Sequence, residues 1–476
     1  MIQGRTNCKL TTEQVAKVDG YVLDLLENVG CEVQCGEALE LLGSAGCDVA
    51  DPKRVKIPRK LVHEALEASP SVIEVYDRDG KPALHLGPWD CYYGTGSDCV
   101  STYDLYSGKR RRCTKADVEN LAAFCDALPN MDFVMSFGIA NDAPEGKNFI
   151  HQYDAMLRST KKPIIVTGHG RNDMQAMIDM AAAARGGLEE VQKKPPLILY
   201  TEPLSPLIHT DMGVSKGLIC CENEVPFIYI GSPYMGATAP ASIEGILVQA
   251  VAESLSGLVI FQRKHAGAKF IFGGDATVMD PRTTIFSYGS PELNVLNACL
   301  ADMAHYYKLP FFCIAGSTDA KTLDAQAGLE YAISVYNATV NGCNIIHDCG
   351  YLESGLTSSF ESVLFADELI SMVKYMMRDL EFNDESVPMD TMRRVGPGGN
   401  FLMEEHTAKN FRKRFWFPRF LDRKMWEMWE SSGSKGMREL LNEKAREIFE
   451  AHEPSLLSRE IQSSIDEIVY RHKPDV

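Results

Sequence analysis

The apolar positions change rhythm twice along the chain, and the changes divide it into three parts. From residue 1 to about 90 the pattern is helical and short. Thr11-Thr12-Glu13-Gln14 opens a helix whose apolar stripe is Val15, Val18, Val22, Leu25 and Leu26. A second short helix is predicted near Gly36 to Leu42, and a third over Arg59 to Ser69. Val72–Tyr76 and Ala83–Leu86 then flank Asp77-Arg78-Asp79-Gly80 as a β-hairpin with an Asp-Gly turn.

From about 91 to 378, short β-prone runs alternate with helical patterns. The runs are Cys99–Tyr103, Phe133–Phe137, Ile164–Thr167, Leu197–Tyr200, Phe227–Ile230, Phe270–Phe272, Phe311–Ile314 and Cys343–Ile346. Helical patterns follow, among them Lys115–Ala127, Asn148–Arg158, Asp173–Ala184, Pro240–Gln262, Pro291–Tyr307 and Leu323–Val340. Pro163, Pro196, Pro226 and Pro310 stand just ahead of their strands, where a missing N–H is tolerated. Eight such units, roughly 30–40 residues apart, predict an α/β fold of the (β/α)8 TIM-barrel type. A doubly wound open sheet is the rival, without a GxGxxG after the first strand to support it. Beyond Arg378 the alternation stops. A turn cluster, Gly396-Pro397-Gly398-Gly399-Asn400, precedes a basic-aromatic patch over 412–418 and helices rich in Trp and Glu. Residues 379–476 are thus expected to form a helical extension packed on the barrel or on a second subunit. The patch could instead attract an anionic partner.

The last unit is the most telling. The run Cys343–Ile346 ends in His347-Asp348-Cys349-Gly350-Tyr351-Leu352-Glu353, and a helix follows with Val363, Ala366, Ile370, Val373 and Met377 on one face. In a barrel the residues just past each strand converge on one mouth. That rule nominates Tyr93, His169, Glu202, Tyr234, Asp275, Asp319, His347, Tyr351 and Glu353 as candidate site residues, with glycines at nearly every strand end for close backbone approach to a ligand. Aromatics and carboxylates with few cations suit a small positive ligand. Plainer readings stand beside this one. His347-Asp348 could cap the next helix or satisfy loop amides. His169, His347, Asp275 and Glu202 could hold a metal, but no HxH or HExxH pattern accompanies them. Cys349 could be a nucleophile, although buried inert thiols are the norm.

Composition narrows the choice. A length of 476 residues with 45% hydrophobic and 24% charged residues is ordinary for a folded protein. The net charge of −17 argues against nucleic acid or an anionic membrane as main partner and suggests an acidic rim for a basic protein partner. The 14 cysteines show no CxxC pair or regular framework. With no apolar leader after Met1 and no long uncharged apolar run, a cytoplasmic location is expected.

Gly94-Thr95-Gly96-Ser97-Asp98, Gly316-Ser317-Thr318-Asp319-Ala320-Lys321 with Asp324-Ala325-Gln326-Ala327, the 346–353 stretch, and Val395-Gly396-Pro397-Gly398-Gly399 with His406-Thr407 together resemble the trimethylamine methyltransferase family. The resemblance implies a (β/α)8 barrel that moves a methyl group from an amine to the cobalt of a separate corrinoid protein, with no metal or cofactor tightly bound of its own. The archetypal members carry pyrrolysine and demethylate trimethylamine, whereas this sequence holds only the twenty standard residues. It is similar to the non-pyrrolysine branch, which acts on glycine betaine, proline betaine, carnitine or γ-butyrobetaine. Within it, glycine betaine is the expected substrate. Tyr93 and Tyr234 would hold the trimethylammonium, Glu202 or Asp319 would balance its charge, and His347 would orient the substrate carboxylate or gate the cobalt's approach. A non-catalytic betaine-binding barrel, a metal-dependent lyase and a homo-oligomeric assembly are further readings to test.

Overall fold

The computed structural model describes residues 2–3, as backbone, and 8–475; part of the N-terminal stretch read for a leader lies outside them. Its centre is a ring of eight parallel strands. Seven form a continuous ladder in the spatial order Asp90–Tyr93, Ile345–His347, Phe311–Ile314, Phe270–Gly273, Phe227–Tyr229, Leu197–Thr201 and Ile164–Val166. Residues 133–134 close it, Phe133 bridging to Gly94 on one side and Val134 to Ile164 on the other. Each strand is followed by a helix, from Lys115–Asp126 after the first to Phe360–Met376 after the eighth. This is the expected TIM barrel.

The first strand is not the predicted one. Asp90–Tyr93 enters the ring, paired with Ile345–His347, and Ser101–Tyr103 lies outside it. The sequence reading missed Asp90–Tyr93 because a carboxylate opens it and glycine ends it. Burial supports it nonetheless, with all four residues enclosed and the Asp90 carbonyl accepting from Asn344 Nδ2 at 2.8 Å. Ser101–Tyr103 pairs with Arg110–Arg112 and Thr357–Ser358 in a small sheet built from loops on the mouth side. Also missing from the predicted helices is Asp211–Asn223, which is broken up by glycines. Gly217 lets it approach its neighbour, since a Cβ there would lie 2.4 Å from the Phe261 ring.

Period-two alternation separates two cores. Outward-facing strand residues such as Phe227, Phe270, Phe272 and Cys313 pack under the helices. Inward-facing Ile165, Ile198, Ile228, Ile271, Phe312 and Ile345 fill the barrel. The hairpin Ile73–Tyr76/Pro82–Leu86 adds Ile73, Val75, Leu84 and Leu86 to that inner cluster and stops the barrel's lower end. Helix Thr12–Asp24 starts where expected, with a capping box in which Thr11 and Gln14 exchange side chain–backbone bonds of 2.9 and 3.2 Å. Ile243–Lys264 is long and apolar enough to cross a membrane, but most of it is buried in this fold and it reads as a core helix.

The last hundred residues wrap the outside. Met437–Ala451 packs on Phe360–Met376, with Phe449 edge-on to Phe360 at 5.4 Å. Arg459–Arg471 lies along Arg171–Arg185. His472 Nε2 then reaches 2.8 Å from Asp173 Oδ1, and Asp475 Oδ2 accepts from the Asn172 amide at 2.9 Å, capping that helix.

Candidate active site at the barrel mouth

The alternation that fills the barrel with isoleucine below delivers polar groups above. On the fourth strand Ile198, Tyr200 and Glu202 follow one another inward, and on the fifth Ile228, Ile230 and Ser232 do. Asp275 continues the sixth and His347 ends the eighth. These side chains meet. Glu202 Oε2 accepts from Tyr200 Oη at 2.9 Å and from Ser232 Oγ at 2.7 Å. Asp275 Oδ2, 3.1 Å from Tyr200 Oη, is the alternative acceptor for that single hydroxyl proton. His347 Nε2 is 3.4 Å from Asp275 Oδ1, its Nδ1 is 2.7 Å from Asp348 Oδ1, and its ring stacks on Phe312 at 4.0 Å. The Nδ1 contact lacks hydrogen-bond alignment, so it acts as an ion pair.

Burial and charge set the protonation of this cluster. Burial alone would push the His347 imidazole down, but Asp348 and Asp275 outweigh it and hold it up to about 10. His347 is therefore an imidazolium at neutral pH. Burial raises Glu202, Asp98 and Asp348 above the usual carboxylate range, and lowers Lys216, whose ammonium donates to the Gly168 carbonyl at 2.7 Å. Glu202 nevertheless keeps an accessible side chain while protein surrounds it, so it lines a recess open to solvent.

One wall of that recess is aromatic. Tyr234 stacks on Phe286 with centroids 5.4 Å apart and planes 10° apart, and Phe286 meets Tyr288 at 5.1 Å. Burial, with Glu202 and Asp275 nearby, pushes the Tyr234 phenol up to about 12, so it stays neutral. Asp319 fixes this wall from behind. It accepts from the Tyr288 amide and from Ser354 Oγ, each at 2.8 Å, and from Ser287 Oγ.

Of the residues nominated from sequence, His347, Glu202, Asp275 and Tyr234 come together. Tyr93 does not join them, because its side chain points outward from the ring, its hydroxyl 2.8 Å from Thr339 Oγ1 under the helices. Tyr351 forms part of a neighbouring wall, donating to the Ser97 carbonyl and stacking on Phe137 at 5.3 Å. Glu353 is taken by Arg110 at 2.8 Å and by Thr357 at 2.5 Å in the rim sheet. His169 sits beside the mouth, Nε2 3.2 Å from Asn148 Oδ1. Cys349 is fully buried and burial raises its thiol, which leaves it without thiolate character. Gly96 does allow a close approach, but by protein: a Cβ there would lie 1.9 Å from Asp348 Oδ1 and 2.4 Å from the Tyr351 ring. Arg110–Arg112 is an exposed strand on the mouth side, with Arg110 paired to Glu353 and Arg111 to Asp104 and Asp117.

Sequence reasoning passed over Tyr200, Tyr288 and Lys216. Tyr200 was within reach, because it stands two residues before Glu202 and shares its face. Tyr288 lies in a loop strand remote from any barrel strand, and no local pattern marks it. Among the described residues no three His, Cys, Asp or Glu side chains are arranged to hold a metal ion.

The family of trimethylamine methyltransferases matches this chain over residues 3–476. The chain belongs to that family. The trimethylamine methyltransferase MttB of Desulfitobacterium hafniense (strain DSM 10664 / DCB-2) is 29% identical over 98% of this chain and 94% of its own length. The glycine betaine methyltransferase of D. hafniense (strain Y51) is 27% identical over 98% and 97%. In three dimensions the trimethylamine methyltransferase-family chain resembles the monomethylamine methyltransferase MtmB of Methanosarcina barkeri, with a TM-score of 0.52 at 11% identity over 94% of this chain and 89% of that one. At that identity the likeness concerns the barrel fold alone.

Proposed function

We propose that this methyltransferase takes a methyl group from a quaternary amine, glycine betaine first among them, and passes it to Co(I) of a separate corrinoid protein. The observation that carries this reading is the recess in which accessible Glu202 and the Tyr234–Phe286–Tyr288 wall gather around Asp275, the carboxylate that also pairs with His347. A trimethylammonium has no N–H to donate. It is held by aromatic faces and by carboxylates at a distance, which Tyr234, Tyr200, Glu202 and Asp275 provide. The betaine carboxylate needs a positive donor a few ångströms away, and His347 or Lys216 can serve. The absence of pyrrolysine from the sequence supports the quaternary-amine branch over trimethylamine.

The chemistry asks for little beyond placement. The Co(I) acceptor would take the methyl carbon while the C–N pair stays on nitrogen, so dimethylglycine leaves as its carboxylate with an uncharged amine, and no proton donor is needed. The protein's part is to align nitrogen, carbon and acceptor and to exclude other orientations. Asp319 would contribute through the aromatic wall it pins, and Asp275 and Asp348 through the charge of His347.

Tertiary-amine release from glycine betaine, proline betaine, carnitine, γ-butyrobetaine and trimethylamine, with Co(I) cobalamin as acceptor, tests the reading. Dimethylglycine from glycine betaine, with no dimethylamine from trimethylamine, is expected. Turnover of trimethylamine would remove the quaternary-amine assignment, and no turnover of any compound would favour a non-catalytic binding barrel. A matched corrinoid protein should be methylated in preference to free cobalamin, with a rate that changes with ionic strength through the charged rim. Equal use of both acceptors would argue against a docking site.

A further inference from the structure

The recess at the mouth holds two side chains of opposite charge that do not pair with each other. Lys216 stands on helix Asp211–Asn223, and its ammonium crosses to the Gly168 carbonyl, 2.7 Å away and just past the third strand. Glu202 follows the neighbouring fourth strand. Both side chains stay accessible although protein surrounds them. Burial lowers the Lys216 ammonium, and Glu202 is first among the charges that oppose this. Yet among the described residues Lys216 enters no ion pair, and the Gly168 carbonyl is its single hydrogen-bond acceptor.

Other buried lysines of this chain are better satisfied. Lys162 donates to the carbonyls of Cys125 and Leu128 at 2.6 and 2.7 Å, and Lys269 to those of Gln192 and Glu224 at 3.3 and 2.8 Å. An ammonium has three donors, so Lys216 keeps most of its capacity for what enters the recess. The carboxylates around it are engaged elsewhere. Glu202 accepts from Ser232 Oγ at 2.7 Å, and Asp98 accepts from Ser97 Oγ at 2.9 Å and Gln152 Nε2 at 3.2 Å. Asp173 accepts from the His169 amide at 2.9 Å and faces His472 Nε2 at 2.8 Å. His347 is the opposite case. Its Nε2 faces Asp275 at 3.4 Å and its Nδ1 faces Asp348 at 2.7 Å, so a carboxylate arriving there would meet two others.

We propose that Lys216, and not His347, anchors the carboxylate of the substrate, and that Lys216 with Glu202 makes the recess selective for zwitterions. The inference rests on the betaine reading above and names the residue that holds the anionic end. A cation and a carboxylate that face one cavity without pairing complement a ligand that carries both charges. Glycine betaine brings its carboxylate to Lys216 and its trimethylammonium to Glu202 and the Tyr234 wall. A cation without a carboxylate satisfies only Glu202 and the wall, and it sets a like charge beside a partly desolvated ammonium.

Calorimetric binding of glycine betaine and of tetramethylammonium to the full-length protein reads this without turnover. Wild type should prefer glycine betaine. Lys216→Gln and Lys216→Met should each lower the ratio of the two affinities by roughly 10- to 100-fold, the range of a charge-assisted hydrogen bond. Glutamine retains an N–H donor for the Gly168 carbonyl, so a loss shared by both variants belongs to the charge and not to a displaced loop. An unchanged ratio in both variants, or one that falls with methionine and survives with glutamine, would overturn the anchor and leave the quaternary-amine reading in place. So would a ratio that falls with His347→Gln and holds in the Lys216 variants. A wild type that binds neither ligand would remove the quaternary-amine reading and the anchor with it.

Discussion

The two ends of the barrel are made from the same strands and reach opposite states. At the lower end Ile198, Ile228, Ile271 and Ile345 meet Val75, Leu84 and Leu86 of the hairpin, and the end is shut by packing. One or two inward positions further along, those strands present Glu202, Ser232, Asp275 and His347, and the end stays open because charged groups there remain solvated or paired with each other. Stability and function are thereby separated along one axis. The lower end can be changed only at a cost to folding, and the upper end carries partly buried charge that the lower end supports.

The sharpest way to break this comparison is at His347. His347→Ala should lower methyl transfer by roughly 100-fold or more, about 2.7 kcal/mol in the barrier, and should lower the thermal transition as well, because it leaves Asp275 and Asp348 without their buried cation, while the variant still folds at the assay temperature. Full activity would return His347 to a structural role. The same residue gives a pH test. Its folded-state value is raised to about 10, so its ionic contribution to stability is complete below the unfolded value of about 6.5 and is lost as pH rises through about 10. The transfer involves no proton, so activity should hold through neutral pH and fall only on the alkaline side near that value. A fall near pH 7 would contradict an imidazolium held by Asp348 and Asp275.

The lower end should respond in the opposite way. Leu84→Ala removes a buried side chain from the hairpin plug and should cost about 2–5 kcal/mol of stability, measured by denaturant unfolding. The KM for the amine should not change below the transition. A large KM change with little loss of stability would mean that the two ends are coupled.

Legibility in the sequence divides along the same line. Seven of the eight β-prone runs fall on barrel strands and most of their helices follow from local periodicity, as does the hairpin, because each is decided within ten or twenty residues. His347, Glu202 and Asp275 were found because a residue just past a strand has a defined place in a barrel. Tyr93 was misplaced because the first strand is Asp90–Tyr93, and assigning it to the loop before Cys99–Tyr103 turned an outward residue into a mouth residue. Tyr288 and the pinning role of Asp319 depend on a loop strand meeting another loop across the mouth, a contact between distant segments that no local pattern encodes. Lys216 sits on a helix, yet its ammonium reaches the carbonyl of Gly168 after a different strand.

Between the two ends stands Glu202, and it gives a graded test. Glu202→Gln keeps the size of the side chain and the acceptor for Tyr200 and Ser232 while removing the charge. A loss of roughly 10-fold in kcat/KM is expected, about 1.4 kcal/mol, carried mainly by KM, because the carboxylate acts on the substrate's fixed positive charge in both the ground state and the transition state. A neutral analogue in which carbon replaces the ammonium nitrogen should bind both forms equally. A fall confined to kcat would instead assign Glu202 to the displacement step.

The smallest effect belongs to the aromatic wall and tests what kind of contact it makes. Tyr234 stacks on Phe286, and burial beside Glu202 and Asp275 keeps its phenol un-ionised up to about 12. If the ring face is what holds the trimethylammonium, Tyr234→Phe should change KM by less than about 2-fold, and Tyr234→Leu should raise it by roughly 3- to 10-fold, the range of a partly solvated cation–π contact. The leucine has comparable apolar bulk, so loss of area alone predicts little difference between the two variants. KM values near wild type for both Phe and Leu would therefore leave the wall as a shape constraint only. A loss with Tyr234→Phe as large as with Tyr234→Leu would transfer the role from the ring to the hydroxyl.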